Sequence, residues 1–345
     1  MPIPSFTAPP GADSAPPLEL INLVAQFIVA RAVGVCAKLR IADHLGAGGA
    51  ATADELAGRC GAHPRSLYRM LRLLAAAGFF TTDGDGRFRL TPLGDCLRAD
   101  HPVPLGSFFR MIEGPIGRVS VEMGHTVRTG EVADERVLGT DAWNYLAQHP
   151  DDSADFDEAM TDLRKQFTGL LLMAYDFARF STVVDVAGGR GFFLRGLLEA
   201  NSNVKGVLFD QPHVVEAGRA AMAEAELDGR CDVVGGDFFA SVPAGADGYI
   251  LSWIIHDWDD ERALAILTNV RKAIAPDGRL LLFEAVVPEG DAPGFAKVID
   301  AFLMPLGGVE RTEAEFAALL AAAGFRLERH VPTLCPQSIL ESVPV

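Results

Sequence analysis

The sequence predicts an α/β chain in two parts. A doubly wound, mostly parallel sheet closed by a C-terminal antiparallel hairpin follows a mainly helical domain that ends in a small two-stranded wing. Three observations carry this expectation. From Ser181 onward, short apolar runs alternate with amphipathic helical stretches, the rhythm of repeated strand–helix units. A glycine-rich turn, Ala187-Gly188-Gly189-Arg190-Gly191, joins the first run to a helix. Before residue 100, stretches with helical spacing give way to a loose alternation around Asp83-Gly84-Asp85-Gly86, a hairpin turn signal.

The first 17 residues are proline-rich, carry no Lys or Arg and have no apolar stretch. They read as a disordered leader and not as a signal peptide. Leu18 to Leu45 has apolar residues at helical spacing and ends at Gly46. Thr52-Ala53-Asp54-Glu55 is a capping box that opens a short helix to Cys60. His63-Pro64-Arg65-Ser66 opens another, Leu67 to Ala77, closed by Gly78. Three helices and a wing over 18–100 are the pattern of a winged helix. Leu67, Met70, Leu71 and Leu74 give it an apolar face for packing or dimerisation. Residues 101–180 read as a helical linker rich in Met and aromatics. From 181 to 345, strands are expected at Thr182–Val186, Val207–Phe209, Cys231–Val234, Tyr249–Ile255 and Leu280–Val287. Arg326–Pro332 and Ser338–Val343 form the closing hairpin.

Composition removes whole classes of function. The 345 residues carry 30 Lys and Arg against 46 Asp and Glu, a net charge of −16. Such a chain is a poor partner for nucleic acid or an anionic membrane surface. Arg65, Arg69 and Arg72 on the third helix invite a DNA-binding reading. However, residues 1–100 hold ten basic against nine acidic residues, so the domain is not basic. The apolar run from Ile21 to Val35 is interrupted by Asn22, Gln26 and Arg31, and no membrane span is expected. Cys36, Cys60, Cys96, Cys231 and Cys335 are widely spaced, as expected of reduced thiols in a cytoplasmic protein without a disulfide framework or a metal site.

The chemistry is expected where the apolar runs end. Open α/β sheets bind ligands beyond the carboxyl ends of their strands. Asp185, Asp210, 25 residues further on, and Asp237 end three successive runs. The turn lacks the third glycine of a dinucleotide-binding pattern, because Leu194 stands there, so a nicotinamide cofactor is disfavoured. A ligand-free tight turn would use the same glycines. Three acidic residues on one rim suit a ligand with a ribose and an amine better than one rich in phosphates. His256 ends the fourth run and suits proton transfer near neutral pH, although a single histidine there is often structural.

These motifs resemble the S-adenosylmethionine-dependent small-molecule O-methyltransferases. That family joins a winged-helix dimerisation domain to a class I, Rossmann-like methyltransferase domain, and it modifies plant phenolics and bacterial natural products such as antibiotics. The resemblance rests on Val184 to Gly191, Phe209 to Val214, Gly235 to Phe239, Ile255 to Trp258, Pro276 to Leu281 with Glu284, and Gly307 to Thr312. It implies methylation of a hydroxyl on a small aromatic acceptor by a homodimer, with His256 as general base flanked by Glu284 and Glu310. Glu284 is the carboxylate expected to orient the imidazole. Asp185, Ala187, Gly188, Gly189 and Gly191 would lie near the methionine part of the cofactor. Asp210 with Gln211 would hold the ribose, Asp237 and Phe238 the adenine, with Ser252, Trp253 and Asp257 bordering it. Ala187 stands where glycine is more usual, and Ser252 where a lysine often lies. Trp143, Phe156, Met160, Leu163, Arg164, Phe302, Leu303 and Met304 are the expected acceptor-pocket residues. The rival reading is a relative that keeps the cofactor site but performs hydroxylation, decarboxylation or cyclisation.

Overall fold

The computed structural model describes residues 15–227 and 229–345. Most of the expected leader therefore lies outside the described residues, and Pro16 already opens the first helix. The chain divides into two compact units: Met1–Arg118 with Leu146–Leu163, and Val119–Tyr145 with Arg164–Val345. The expected linker is not a body of its own, since its helices are shared out between the two.

The helical unit begins with α1 (Pro16–Lys38), α2 (Ile41–Leu45), α3 (Ala53–Cys60) and α4 (Pro64–Ala76). The helix expected over Leu18–Leu45 is broken at Arg40, whose left-handed backbone (φ 51°) separates α1 from α2. The capping box forms as the sequence indicates: Glu55 N–H donates to Thr52 Oγ1 at 3.2 Å, and Thr52 N–H to Glu55 Oε2 at 2.9 Å. β1 (Phe80–Thr82) and β2 (Phe88–Leu90) pair antiparallel as the wing. Then come α5 (Pro92–Asp95), α6 (Gly106–Glu113), α7 (Pro115–Ser120), α8 (Met123–Thr129), α9 (Asp134–Leu138), α10 (Ala142–Gln148) and α11 (Pro150–Ala174), whose two halves belong to different units.

The apolar face expected on the third helix proves internal. Leu67, Leu71 and Leu74 pack with Val29, Val33, Leu56, Phe80 and Phe88 in this unit's own core. The exposed apolar surface lies instead on α1, where Leu20, Leu23, Val24 and Phe27 are each more than half exposed. By length and hydropathy this helix would suffice to cross a membrane, contrary to the sequence expectation. Its C-terminal half is anchored in the core through Val29, Val33 and Cys36.

The second unit holds the sheet: β3 (Thr182–Val186), β4 (Lys205–Asp210), β5 (Cys231–Gly235), β6 (Gly248–Ser252), β7 (Arg279–Glu284), β8 (Phe325–Val331) and β9 (Ser338–Pro344). Between them run α12 (Phe192–Ala200), α13 (Pro212–Glu224), α14 (Asp260–Ala273), α15 (Phe295–Leu303) and α16 (Glu313–Ala322). The order is β5-β4-β3-β6-β7-β9-β8, parallel through β7 and antiparallel at β9 and β8. Both faces are covered. Val184, Val186, Leu251 and Leu282 enter one core, while Val183, Ile250, Leu281 and Phe283 enter the other. Burial on both sides is why the strands read as unbroken apolar runs. The chain turns to opposite sides of the sheet after β3 and after β5, so β3 and β6 lie side by side at the switch point. Their carboxyl ends border the crevice in which such sheets bind ligands.

Replacing Thr52 by alanine removes the capping box, and urea unfolding should show a loss of about 0.5–2 kcal/mol. An unchanged midpoint would mean that α3 is held by packing alone.

Candidate active site

At the end of β3 the backbone makes a turn that few residues can follow. Gly189 and Gly191 have φ of 61° and 75°, and Ala187 is left-handed at 56°. A Cβ on Gly188 would lie 2.8 Å from the Asp185 carboxyl and 2.5 Å from Leu208. The substitution of alanine for the usual glycine at 187 therefore keeps the turn at the cost of a strained conformation, typically about 1–2 kcal/mol. Asp210, at the end of β4, secures the turn from the side: its Oδ2 accepts from Gly189 N–H and its Oδ1 from Gln211 N–H, both at 2.7 Å. Asp185 is buried beneath with Oδ2 unpartnered. Burial raises its pKa to about 6 and pushes that of Asp210 upward too.

Arg164, expected in the acceptor pocket, lies on this turn. Its Nη1 donates to Gly188 O at 2.7 Å and its Nη2 to Ala187 O at 3.3 Å. Trp143 stacks on Trp258 with 6.1 Å between rings, and Phe238 and Phe239 meet Trp258 edge-on. It thus joins the aromatic group beside Asp237, the part of the rim assigned to adenine. Asp237 itself is exposed. Ser252 is buried and its Oγ accepts from Gln337 Nε2 at 3.0 Å, a partner that sequence reasoning missed.

His256 lies in a 3-10 turn, Ile255–Asp257, beyond β6. Its Nδ1 is 2.8 Å from Glu310 Oε1 and 4.0 Å from Glu284 Oε2, while Nε2 is 3.5 Å from Asp257 Oδ1. The orienting carboxylate is thus Glu310 and not Glu284. Glu284 ends β7 wholly buried, and its Oε1 is engaged by the N–H groups of Ile254 and Ile255, at 3.1 and 2.8 Å. It holds the turn, and the turn holds the imidazole. Trp253 also has a left-handed backbone (φ 53°) and lays its ring parallel to the imidazole, 6.4 Å away. Backbone strain of this kind gathers at functional sites.

Burial alone would lower the pKa of His256, but Asp257, Glu284 and the hydrogen-bonded Glu310 outweigh it and raise the value to about 10. Burial raises Glu284 to about 8, opposed by His256 and reinforced by Glu310, and it raises Asp257 to about 6. The folded cluster therefore retains protons that the unfolded chain releases. The stability contributed by His256 is complete below its ordinary 6.5 and is lost as pH rises through about 10. That of Glu284 is complete below 4.5 and is lost as pH rises through about 8.

Among the acceptor residues expected from sequence, Phe156, Met160 and Leu163 fall in the helical unit, and Phe302, Leu303 and Met304 in the sheet unit. All six are half-buried. The five cysteines are free.

Comparison with known proteins identifies the class. The O-methyltransferase domain profile matches residues 121–326, and the O-methyltransferase dimerisation domain profile matches residues 21–100. The chain belongs to the O-methyltransferase family that carries this dimerisation domain. It is 42% identical to the phenazine O-methyltransferase PhzM of Lysobacter antibioticus over 94% of this chain and 96% of that one. It is 36% identical to an 8-amino-8-demethylriboflavin N,N-dimethyltransferase of Streptomyces davaonensis, over 84% of each. It also resembles the crystal structure of NcsB1, an O-methyltransferase from neocarzinostatin biosynthesis in complex with S-adenosylmethionine and 2-hydroxy-5-methyl naphthoic acid. That similarity has a TM-score of 0.80 and 38% identity, and covers 92% of this chain and 96% of that one.

In urea unfolding of the ligand-free protein, stability should fall as pH rises from 4.5 to 8, and Glu284→Gln should flatten that fall. A variant that keeps the full wild-type slope would show that Glu284 carries no excess proton.

Proposed function

We propose that this enzyme transfers a methyl group from S-adenosylmethionine to a hydroxyl of a small, multi-ring aromatic natural product, with His256 as general base. The observation that supports this most is a buried imidazole held by Glu310 at the open end of the strands, beside a crevice with carboxylates on its rim. The relatives named above are methyltransferases whose names point to planar multi-ring compounds, and the rival reactions of hydroxylation, decarboxylation or cyclisation draw no support from them.

The residues present fit the cofactor. Asp210 can accept from the ribose hydroxyls, and Asp237 with the Phe238, Trp258 and Trp143 rings suits adenine. Asp185, with its unpartnered buried oxygen, suits an ammonium group, and the Arg164 guanidinium suits a carboxylate. When bound, the cofactor supplies a methyl group on a positively charged sulfur, electrophilic without further activation. The protein must align an acceptor oxygen and take its proton. Alignment contributes roughly 7–11 kcal/mol and a positioned base about 10²–10⁴ in rate. A phenol has a pKa of about 10, level with the value of about 10 to which the carboxylates raise the ligand-free imidazole; His256 acts as base only in its unprotonated form, which is the minor form of the ligand-free enzyme at neutral pH. Glu310 then stabilises the imidazolium, and Glu284 keeps the turn in place.

We assign the exposed face of α1 to a second copy of the chain in a homodimer, because the dimerisation profile spans most of that helix. The reading implies a soluble enzyme of the cytoplasm with reduced thiols and no role for nucleic acid, membrane or metal.

His256→Ala should lose methyl transfer to a panel of hydroxylated aromatics by at least about 10²-fold while calorimetry records unchanged S-adenosylmethionine affinity. Wild-type rates in the variant would remove the base assignment. The rising limb of kcat/KM with pH, set by the free-enzyme imidazole, should move to lower pH in Glu310→Gln; the acceptor's own ionisation would not move. Activity should survive dialysis against EDTA. His256, Glu284 and Glu310 bring ligand atoms within 4.8 Å of one another, and loss of activity restored by a divalent cation would reassign them.

A further inference from the structure

Arg311 is the largest wholly enclosed side chain among the described residues, 1% exposed, and methyl transfer as described so far does not use it. Burying a guanidinium is costly unless every donor is met. Here all five are. Nε and Nη2 reach Asp260 Oδ1 at 3.0 and 2.7 Å, and Nη2 also donates to Trp258 O at 2.9 Å. Nη1 donates to Ile255 O at 3.2 Å and to Val309 O at 3.1 Å. The two carbonyls at Ile255 and Trp258 flank His256 and Asp257 on either side.

The same short segment takes the carbonyl between them. Val309 N–H donates to His256 O at 2.7 Å, and a Cβ on Gly308 would lie 2.6 Å from that oxygen. Glu310 projects from between Val309 and Arg311, so the residues that fix the turn also carry the carboxylate that orients the ring. The segment is itself tied down: Arg311 O accepts from Val287 N–H at 2.9 Å, and Glu310 N–H donates to Asp300 at 3.0 Å.

We propose that Arg311 is a positioning residue for methyl transfer: its planar fork brackets the His256 turn by both flanking carbonyls and sets the distance from the imidazole to Glu310. It touches neither reactant. The proposal rests on His256 being the base. A lysine would keep the charge but lacks five donors in one plane, and so could not hold two carbonyls and a carboxylate together.

The test uses the full-length enzyme with Arg311→Lys, Arg311→Met and Asp260→Asn. Asp260 is largely exposed, and its change removes the carboxylate partner while leaving the arginine in place. For both Arg311 variants, kcat should fall roughly 10²-fold with S-adenosylmethionine affinity held within about twofold, because a misplacement of about 1 Å at the reacting group costs that much. Asp260→Asn should lose about tenfold, one order of magnitude per 1.36 kcal/mol. In the ligand-free protein, the His256 imidazole followed by NMR should titrate about one unit lower in Arg311→Lys, since a looser Glu310 stabilises the cation less. A merely structural arginine would instead lower stability, cofactor affinity and rate together and leave the titration where it was. Wild-type kcat and titration in Arg311→Lys would overturn the proposal. If that variant does not fold, a wild-type kcat in Asp260→Asn would do so. A shifted titration without methyl transfer by the wild type to any acceptor would overturn the functional reading and leave the positioning role intact.

Discussion

One imidazole is buried at the carboxyl end of the sheet together with Glu310 and Glu284, with half-buried Asp257 beside it, and most of the local architecture follows from that burial. A charged group withdrawn from water is tolerated only when it is paired and hydrogen-bonded. Three ionisable groups in one dry space, with a fourth at its edge, cannot all carry their ordinary charges. The proton count of the group therefore belongs to the cluster, and its members are held where that count can change without exposing any of them. Glu284 comes from the end of a central strand, which leaves its carboxylate wholly enclosed.

A second constraint concerns the backbone. A three-residue 3-10 turn has little ladder of its own, only the bonds from Asp257 to Ile254 and from Trp258 to Ile255 at 3.2 and 3.3 Å. Several of its other polar groups are met from outside. Glu284 accepts from the Ile254 and Ile255 amides on one side, and Val309 N–H and Arg311 donate to the carbonyls of Ile255, His256 and Trp258 on the other. At the neighbouring strand end, the glycine turn is similarly fixed by Asp210 and Arg164. Ligand-facing backbone on this rim is thus held in advance by side chains, which limits the reorganisation that binding would require.

Much of this was legible in the sequence. The seven strands, the capped α3, the wing and the acidic ends of β3 and β4 follow from period, turn chemistry and run length, all of which are local properties. What sequence alone missed depends on long-range geometry. Glu284 and Glu310 are equivalent carboxylates on paper, and only the register of β7 against the 309–311 segment makes one an anchor for amides and the other a partner for the ring. Arg164 reads as the cation of a helix face until α11 brings it onto the glycine turn. The apolar faces of α1 and α4 look alike, and tertiary packing decides which becomes core. Arg311 lies within Gly307 to Thr312, but its bonds to backbone carbonyls could not be foreseen, because carbonyls leave no trace in the residue code.

The interleaving of the two units has a bearing on how this chain can be cut and recombined. Leu146–Leu163 returns to the unit begun by the first 118 residues after the chain has already entered the other, and α11 belongs to both. No single breakpoint separates them, so truncation at the end of the wing would strip α11 of the partners that bury its first half. Chimeras made with a relative would have to exchange 1–118 together with 146–163, or carry the junction past Arg164.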